Sequence, residues 1–235
     1  MLRSDERQPI ALPNPPALEV PADFGVRLDQ LGIRVDAGAI GKIGDFLARL
    51  LAMNERMNLT AIESPDAAWQ KHAFDALTLV PLLQNVPAAG RIADIGSGGG
   101  LPGIPLAIAR PDLRVTLIES IQKKSAFLSA VATALLLSNV NVLAERAEKL
   151  TSGSLRNAFD VVTARAVARL SDLLPLTAPF AKPGGRLLLI KGQKAPEELA
   201  EAQRILVKMR CRHVETVVTP TGRIVVIEKM GKETA

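Results

Sequence analysis

The sequence predicts an α/β protein: a mostly parallel sheet of seven strands, covered by helices on both faces and finished by an antiparallel hairpin. Three observations carry this. After Gly90, the β-rich runs RIADI, LRVTLIE, NVNVLA, FDVVTA and GRLLLI alternate with longer stretches of helical pattern, the texture of a parallel sheet with helical crossovers. The last two runs, RHVETVVT and RIVVIEKM, are joined by Pro220-Thr221-Gly222 alone, too short for a helical crossover, so they pair antiparallel. Between the first run and its following helix lies a glycine-rich turn, Asp94-Ile95-Gly96-Ser97-Gly98-Gly99-Gly100-Leu101-Pro102-Gly103.

Taken in order, residues 1–21 mix charges with Pro9, Pro13, Pro15, Pro16 and Pro21, a composition that resists helix and strand and predicts a flexible arm. From Ala22, Phe24, Leu28 and Leu31, then Ile40, Ile43, Phe46, Leu47, Leu50 and Leu51, recur at helical spacing and predict two amphipathic helices divided at Gly32. Ser64-Pro65-Asp66 supplies an N-cap, a first-turn proline and a first-turn acid for a third helix, running through Trp69 to about Leu83. Residues 22–88 thus form a helical extension and 89–235 the sheet domain, expected to pack as one unit.

The 235-residue chain, 48% hydrophobic, can bury a substantial core. Twenty-nine Lys and Arg against twenty-four Asp and Glu leave a formal charge of +5, a bias toward polyanionic partners. One cysteine, Cys211, rules out an internal disulfide, and one thiol with two histidines cannot build a four-ligand structural zinc site, so no metal is expected. The opening MLRSDERQPI lacks the apolar core of a secretory signal, and no uninterrupted apolar segment reaches membrane length; a soluble cytoplasmic monomer is expected.

Glycines in the turn let the chain bend tightly and let a ligand approach bare backbone. Two cofactors compete. Gly98, Gly100 and Gly103 satisfy the dinucleotide pattern G-x-G-x-x-G, with Glu119 about twenty residues on. The alternative register, D-x-G-x-G-x-G on Asp94, Gly96, Gly98 and Gly100, resembles the loop of class I S-adenosylmethionine-dependent methyltransferases, whose Rossmann-like sheet also ends in an antiparallel hairpin. It sets the Asp94 carboxylate at the strand's mouth to serve the cationic amino-acid end of S-adenosylmethionine, directly or through water. There it would repel a pyrophosphate, which favours the methyl donor. Glu119 stands where a carboxylate accepts ribose hydroxyls in either case.

Reading outward, Asn54-Glu55-Arg56-Met57-Asn58-Leu59-Thr60, Lys71-His72-Ala73-Phe74-Asp75, the loop with LPGIP, Arg165-Ala166 and Leu189-Ile190-Lys191-Gly192-Gln193 together resemble the RsmG (GidB) family of 16S ribosomal RNA guanine-N7-methyltransferases. The likeness runs from about residue 25 to 230. It implies S-adenosylmethionine as cofactor and ribosomal RNA or the small subunit as partner. By position it implies that Gly96 and Leu101 line the donor pocket, that Ala147 and Glu148 flank the adenine, and that Arg165 sits beside the cofactor facing RNA. Asn58, His72, Asp75, Arg146 and Lys191 fall near the implied substrate side, while Ser97 and Gly99 stand where relatives often carry Thr and Pro.

The chemistry is compatible. Guanine N7 carries a free lone pair, so its methylation requires no general base, only alignment of the reacting atoms. The Asp/Asn-Pro-Pro-aromatic motif of amine methyltransferases is absent after FDVVTA, and the single Asn-Pro-Pro, at Asn14, ends in Ala17. Cys211 follows Arg210 with no activating neighbourhood and reads as structural. With no Tyr, one Trp and six Phe, base stacking falls to arginine, Arg165 and Arg146 first, while Lys123, Lys124, Lys191 and Lys194 offer diffuse attraction. His72 and Asp75, three apart, are expected to orient one another on one helical face. Rival readings are a small-molecule methyltransferase, disfavoured by Arg49, Arg56 and Lys71 in the extension, an RNA-binding or ribosome-assembly module on the same fold, and last an NAD-dependent oxidoreductase.

Overall fold

The computed structural model describes residues 10–165 and 168–231. Residues 10–21 form neither helix nor strand, yet they are not a free arm. The buried Arg49 guanidinium donates to the Pro13 carbonyl at 3.1 Å and grips the Asn14 side chain, and the Leu18 amide donates to the Gly44 carbonyl at 3.2 Å. The proline-rich composition removes helix and strand, but carbonyls left unpaired by it are free to accept from Arg49.

Helices α1 (Phe24–Gln30) and α2 (Ala37–Met57) follow. Asp36 starts α2 by accepting from the Ala39 amide at 2.9 Å, and Asn58 ends it in the left-handed region at φ 49°, which asparagine tolerates better than most side chains. The helix opened by Ser64 starts as expected, with Ser64 Oγ accepting from the Ala67 amide at 3.3 Å. It does not continue as one α-helix. Its pieces are α3 (Pro65–Ala68), a π-helical turn (Trp69–Phe74), α4 (Asp75–Leu77) and a 3₁₀ turn (Val80–Leu83). Packing explains the departure. In an α-helix residues five apart diverge by about 140°; the wider turn brings Trp69 and Phe74 to one side, where both meet Phe24, at centroid distances of 4.8 and 6.1 Å.

The seven strands are β1 (Arg91–Ile95), β2 (Arg114–Ile118), β3 (Val140–Leu143), β4 (Phe159–Arg165), β5 (Ala181–Lys191), β6 (Cys211–Thr219) and β7 (Gly222–Lys229). They form one sheet in the order β3-β2-β1-β4-β5-β7-β6. The first five run parallel, and β7 pairs antiparallel with both β5 and β6. This is the Rossmann-like class I architecture the sequence predicts. Between the strands lie α5 (Gly103–Ala109), α6 (Gln122–Ala134), α7 (Ala147–Leu150), α8 (Leu170–Thr177), α9 (Ala195–Glu201) and α10 (Gln203–Lys208).

On one face a continuous apolar cluster joins Phe24, Phe46, Leu47 and Trp69 of the extension to Ile104, Phe127 and Leu128 under the sheet. On the other, Leu170, Leu173 and Leu206 close over Phe159 and Phe180. Among the described residues no helix is long and apolar enough to cross a membrane. The chain leaves β1 toward β2 and β4 toward β5, so the order reverses between β1 and β4. Sheets of this topology bind their ligands at that point, in the crevice outside the strands' carboxyl ends.

Candidate active site

At that crevice β1 delivers Asp94, and the structure turns its side chain inward. Asp94 is fully buried; one carboxylate oxygen accepts from Thr163 Oγ1 at 2.9 Å and the other from the Gly103 amide at 3.3 Å, at the start of α5. Thr163 is its register partner on β4. The expectation that Asp94 reaches outward to a cationic ligand is therefore corrected: the carboxylate caps α5. Gly103 permits this, because a Cβ there would lie 2.8 Å from the Asp94 oxygen and against Leu117. Burial pushes Asp94 up to about 6, although hydrogen bonds from Thr163, Ser97 and Gly103 and the Arg165 charge oppose it.

Five of the loop's amides, those of Gly96, Ser97, Gly98, Gly100 and Leu101, are spent on protein acceptors. Gly96 and Ser97 both donate to the Ile118 carbonyl, at 2.9 and 3.2 Å, and Gly100 and Leu101 to the Ser97 carbonyl, at 2.7 and 3.1 Å. Gly98 donates to Glu119 at 2.8 Å. Positive φ at Gly96, Gly98 and Gly100 (69°, 55° and 94°) makes this path accessible to glycine above all. Leu101 is buried beneath it. An anion such as pyrophosphate needs those amides and the helix N-terminus that Asp94 already occupies, so this loop is built for a ligand without that demand.

Glu119, just beyond β2, accepts from Gly98 with one oxygen and from the Ile121 amide with the other, each at 2.8 Å. A carboxylate has about four lone-pair sites, so capacity for two hydroxyls remains. Beyond β3, Arg146 precedes α7; Arg146 and Glu148 are exposed and Ala147 half-buried. Asp94, Glu119, Ala147 and Glu148 thus follow the carboxyl ends of β1, β2 and β3 in spatial order. A hydroxyl-accepting carboxylate at Glu119 and a half-buried Ala147 suit the ribose and adenine of S-adenosylmethionine, while Asp94, buried beneath the loop, holds its shape.

Arg165 ends β4 across the crevice. Its Nη1 donates to the Lys71 carbonyl at 2.8 Å, both Nη atoms lie 3.2–3.3 Å from His72 Nδ1, and Nη1 stands 3.6 Å from Asp75. His72 Nε2 meets Thr60 Oγ1 at 2.8 Å, and Asp75 accepts from Thr221 Oγ1 at 2.6 Å. Direct pairing of His72 with Asp75 is corrected: the π turn between them alters the helical spacing, and Arg165 mediates between the two. Burial foremost, then the Arg165 charge, lowers His72 to about 4, so the imidazole is neutral near pH 7. A neutral ring accepting at Nδ1 from the guanidinium leaves Nε2–H to donate to Thr60. Asn54 Oδ1 fixes Thr60 by accepting its amide at 2.8 Å, which gives the Asn58-Leu59-Thr60 motif a local function.

Lys191 departs from its expected open position. Its ammonium donates to the Ala168 carbonyl at 2.6 Å and pairs with Glu198 at 2.8 Å, with only 7% of the side chain exposed. Glu198 also accepts from the Leu170 amide at 3.0 Å, so Lys191 braces the segment after Arg165. Asn58, Lys71, Lys123 and Lys194 are exposed. Ala166 lies outside the described residues. Cys211 sits buried at the start of β6, its thiol pushed up by burial. The sequence reading missed Thr163, Thr221 and Glu198. Thr163 carried a signal, a lone hydroxyl in the apolar run FDVVTA, whereas the partners of Thr221 and Glu198 emerge only from the folded arrangement.

Compared with known proteins, residues 39–225 match the family model GidB, described as rRNA small subunit methyltransferase G. The chain is 59% identical over 229 residues to ribosomal RNA small subunit methyltransferase G of Sorangium cellulosum, covering 97% of this chain and 96% of the relative. It is 42% identical over 179 residues to the protein of that name from Syntrophotalea carbinolica, covering 76% and 81%. A solved SAM-dependent methyltransferase from Aquifex aeolicus shares the fold with a TM-score of 0.54 at 16% identity, over 78% of this chain and 98% of that one.

Proposed function

The chain belongs to the rRNA small subunit methyltransferase G (GidB) family, and from that membership we propose that it methylates N7 of a guanine in 16S ribosomal RNA. At the coarser level it is an S-adenosylmethionine-dependent rRNA methyltransferase. One observation supports the N7 reading above others. The titratable groups gathered at the crevice, His72, Asp75 and Asp94, each spend polar atoms on protein partners, and His72 is held neutral well below its usual range. A lone-pair acceptor suits such a site, since it surrenders no proton before attack.

S-adenosylmethionine supplies an electrophilic methyl group on a sulfonium. The protein's part is placement. Glu119 holds ribose hydroxyls, Gly96 and Leu101 form the floor, and Ala147 and Glu148 border the adenine. Arg165, steadied by Lys71, His72 and Asp75, presents the free side of its guanidinium to the RNA, where it can stack on a base or grip phosphate. Arg146 and Asn58 add contacts from either rim. In-line positioning of this kind contributes roughly 7 to 11 kcal/mol to lowering a barrier.

The test is incubation with methyl-labelled S-adenosylmethionine and small subunits lacking the modification, followed by mapping of 7-methylguanosine. Label at one guanine, lost in Arg165→Ala while cofactor binding persists, is the expected result. Cofactor binding without label on subunits or naked RNA would favour an RNA-binding or assembly module instead.

A further inference from the structure

The C-terminal hairpin turn reaches the site from the far end of the chain. Thr221 Oγ1 donates to Asp75 at 2.6 Å across 146 residues, and the second Asp75 oxygen stands 3.6 Å from Arg165 Nη1. Asp75 is buried, so its carboxylate orientation is decided by the few donors around it. The turn itself is held. Thr219 Oγ1 accepts from the Gly222 amide at 3.0 Å and lies 3.4 Å from Thr221 Oγ1. Gly222 packs so closely on β5 that a Cβ would stand 2.6 Å from the Lys191 carbonyl. Lys191 in turn ties Ala168 and Glu198, so the turn, the end of β5 and the segment after Arg165 are braced together.

We propose that Thr221 is a positioning residue for methyl transfer: by holding one oxygen of Asp75 it keeps Arg165 shared between Lys71, His72 and Asp75, aimed into the crevice. The inference rests on the role of Arg165 under the proposed function. Without the hydroxyl, the buried oxygen lacks its donor and the carboxylate turns fully onto the guanidinium, drawing it off His72 and away from the substrate. Thr221 touches neither cofactor nor RNA in this account; it acts through Asp75.

The experiment compares Thr221→Val, Thr221→Ser, Asp75→Asn and Arg165→Ala for kcat on small subunits, for S-adenosylmethionine affinity and for the thermal melt. Thr221→Val is expected to lower kcat by about tenfold, with cofactor affinity within about twofold of the parent, and Thr221→Ser to restore the rate. The Thr221→Val/Asp75→Asn double variant is expected to lose no more than Asp75→Asn, since both act on one path. Unchanged kcat in Thr221→Val beside an inactive Arg165→Ala overturns the proposal alone, as do losses that multiply in the double variant. A fully active Arg165→Ala overturns the proposed role of Arg165 and this inference with it. Should Thr221→Val not fold, Thr221→Ala decides: kcat down with cofactor affinity kept supports the path, and unchanged kcat ends it.

Discussion

Asp94 and His72 pull the pH dependence of stability in opposite directions. Asp94 titrates at about 6 in the fold against 3.8 otherwise. Its raised pKa means the native state binds more protons, so its destabilising cost is full above about 6 and fades as pH falls toward 3.8. His72 is the reverse, at about 4 against 6.5: its contribution is complete above 6.5 and lost as pH falls toward 4. Shifts of this size are each worth about 3 kcal/mol, so the two nearly offset. Urea unfolding of Asp94→Asn should therefore show stability dropping on acidification between pH 6.5 and 4, and His72→Gln should show it rising. Arg165, which faces both groups, stays charged throughout, and Asp75 and Lys71 beside His72 are common to both variants. Matching slopes in the two variants would refute the offset.

Two cations that the sequence treats alike separate on the same reasoning. Arg146→Ala should reduce the slope of RNA binding against salt by about 1, the signature of one lost phosphate contact. Lys191→Met should leave that slope alone and cost about 2–3 kcal/mol of folding stability, because it strands Glu198 in a half-buried pocket. Salt titrations and chemical denaturation read the two outcomes separately.

At the scale of elements, the glycine loop and α5 stand or fall together. Gly103→Ala should place a methyl against Leu117 and the Asp94 carboxylate, costing about 1–3 kcal/mol in overpacking and dislodging the cap. Calorimetric titration with S-adenosylmethionine should show weakened binding, and the melt should fall in step. A variant with parent-like affinity would show that the cap does not shape the loop. Much of this level was legible. The strands declared themselves because β-branched runs bounded by turn residues admit few other readings, and the hairpin because three residues cannot span a crossover. The π turn was not legible, since Phe24 decides it from outside the segment. The inward turn of Asp94 was equally hidden: its two partners lie nine and sixty-nine residues away, and only the β1–β4 register joins them.

Across the molecule, the apolar cluster running from Phe24 and Trp69 to Phe127 leaves no seam between extension and sheet on that face. Calorimetry should accordingly give one transition with matching calorimetric and van't Hoff enthalpies; two resolved transitions would show the extension to be an independent unit. Arg49 extends the same continuity to residues 10–18, so Arg49→Met should expose them to limited proteolysis without altering that single transition.

The bond from Thr221 to Asp75 also has a temporal meaning. Synthesis runs from the N-terminus, so Asp75, Arg165 and the whole glycine loop emerge before the residue that completes their arrangement. Strand β6 also emerges before β7, yet β7 lies between it and β5, so the hairpin docks as a pair and not strand by strand. A chain still being made, or one cut short before residue 221, would carry a cofactor loop without its finished substrate side. The substrate side of the site is therefore finished last, when the final strand joins the sheet and brings Thr221 to Asp75.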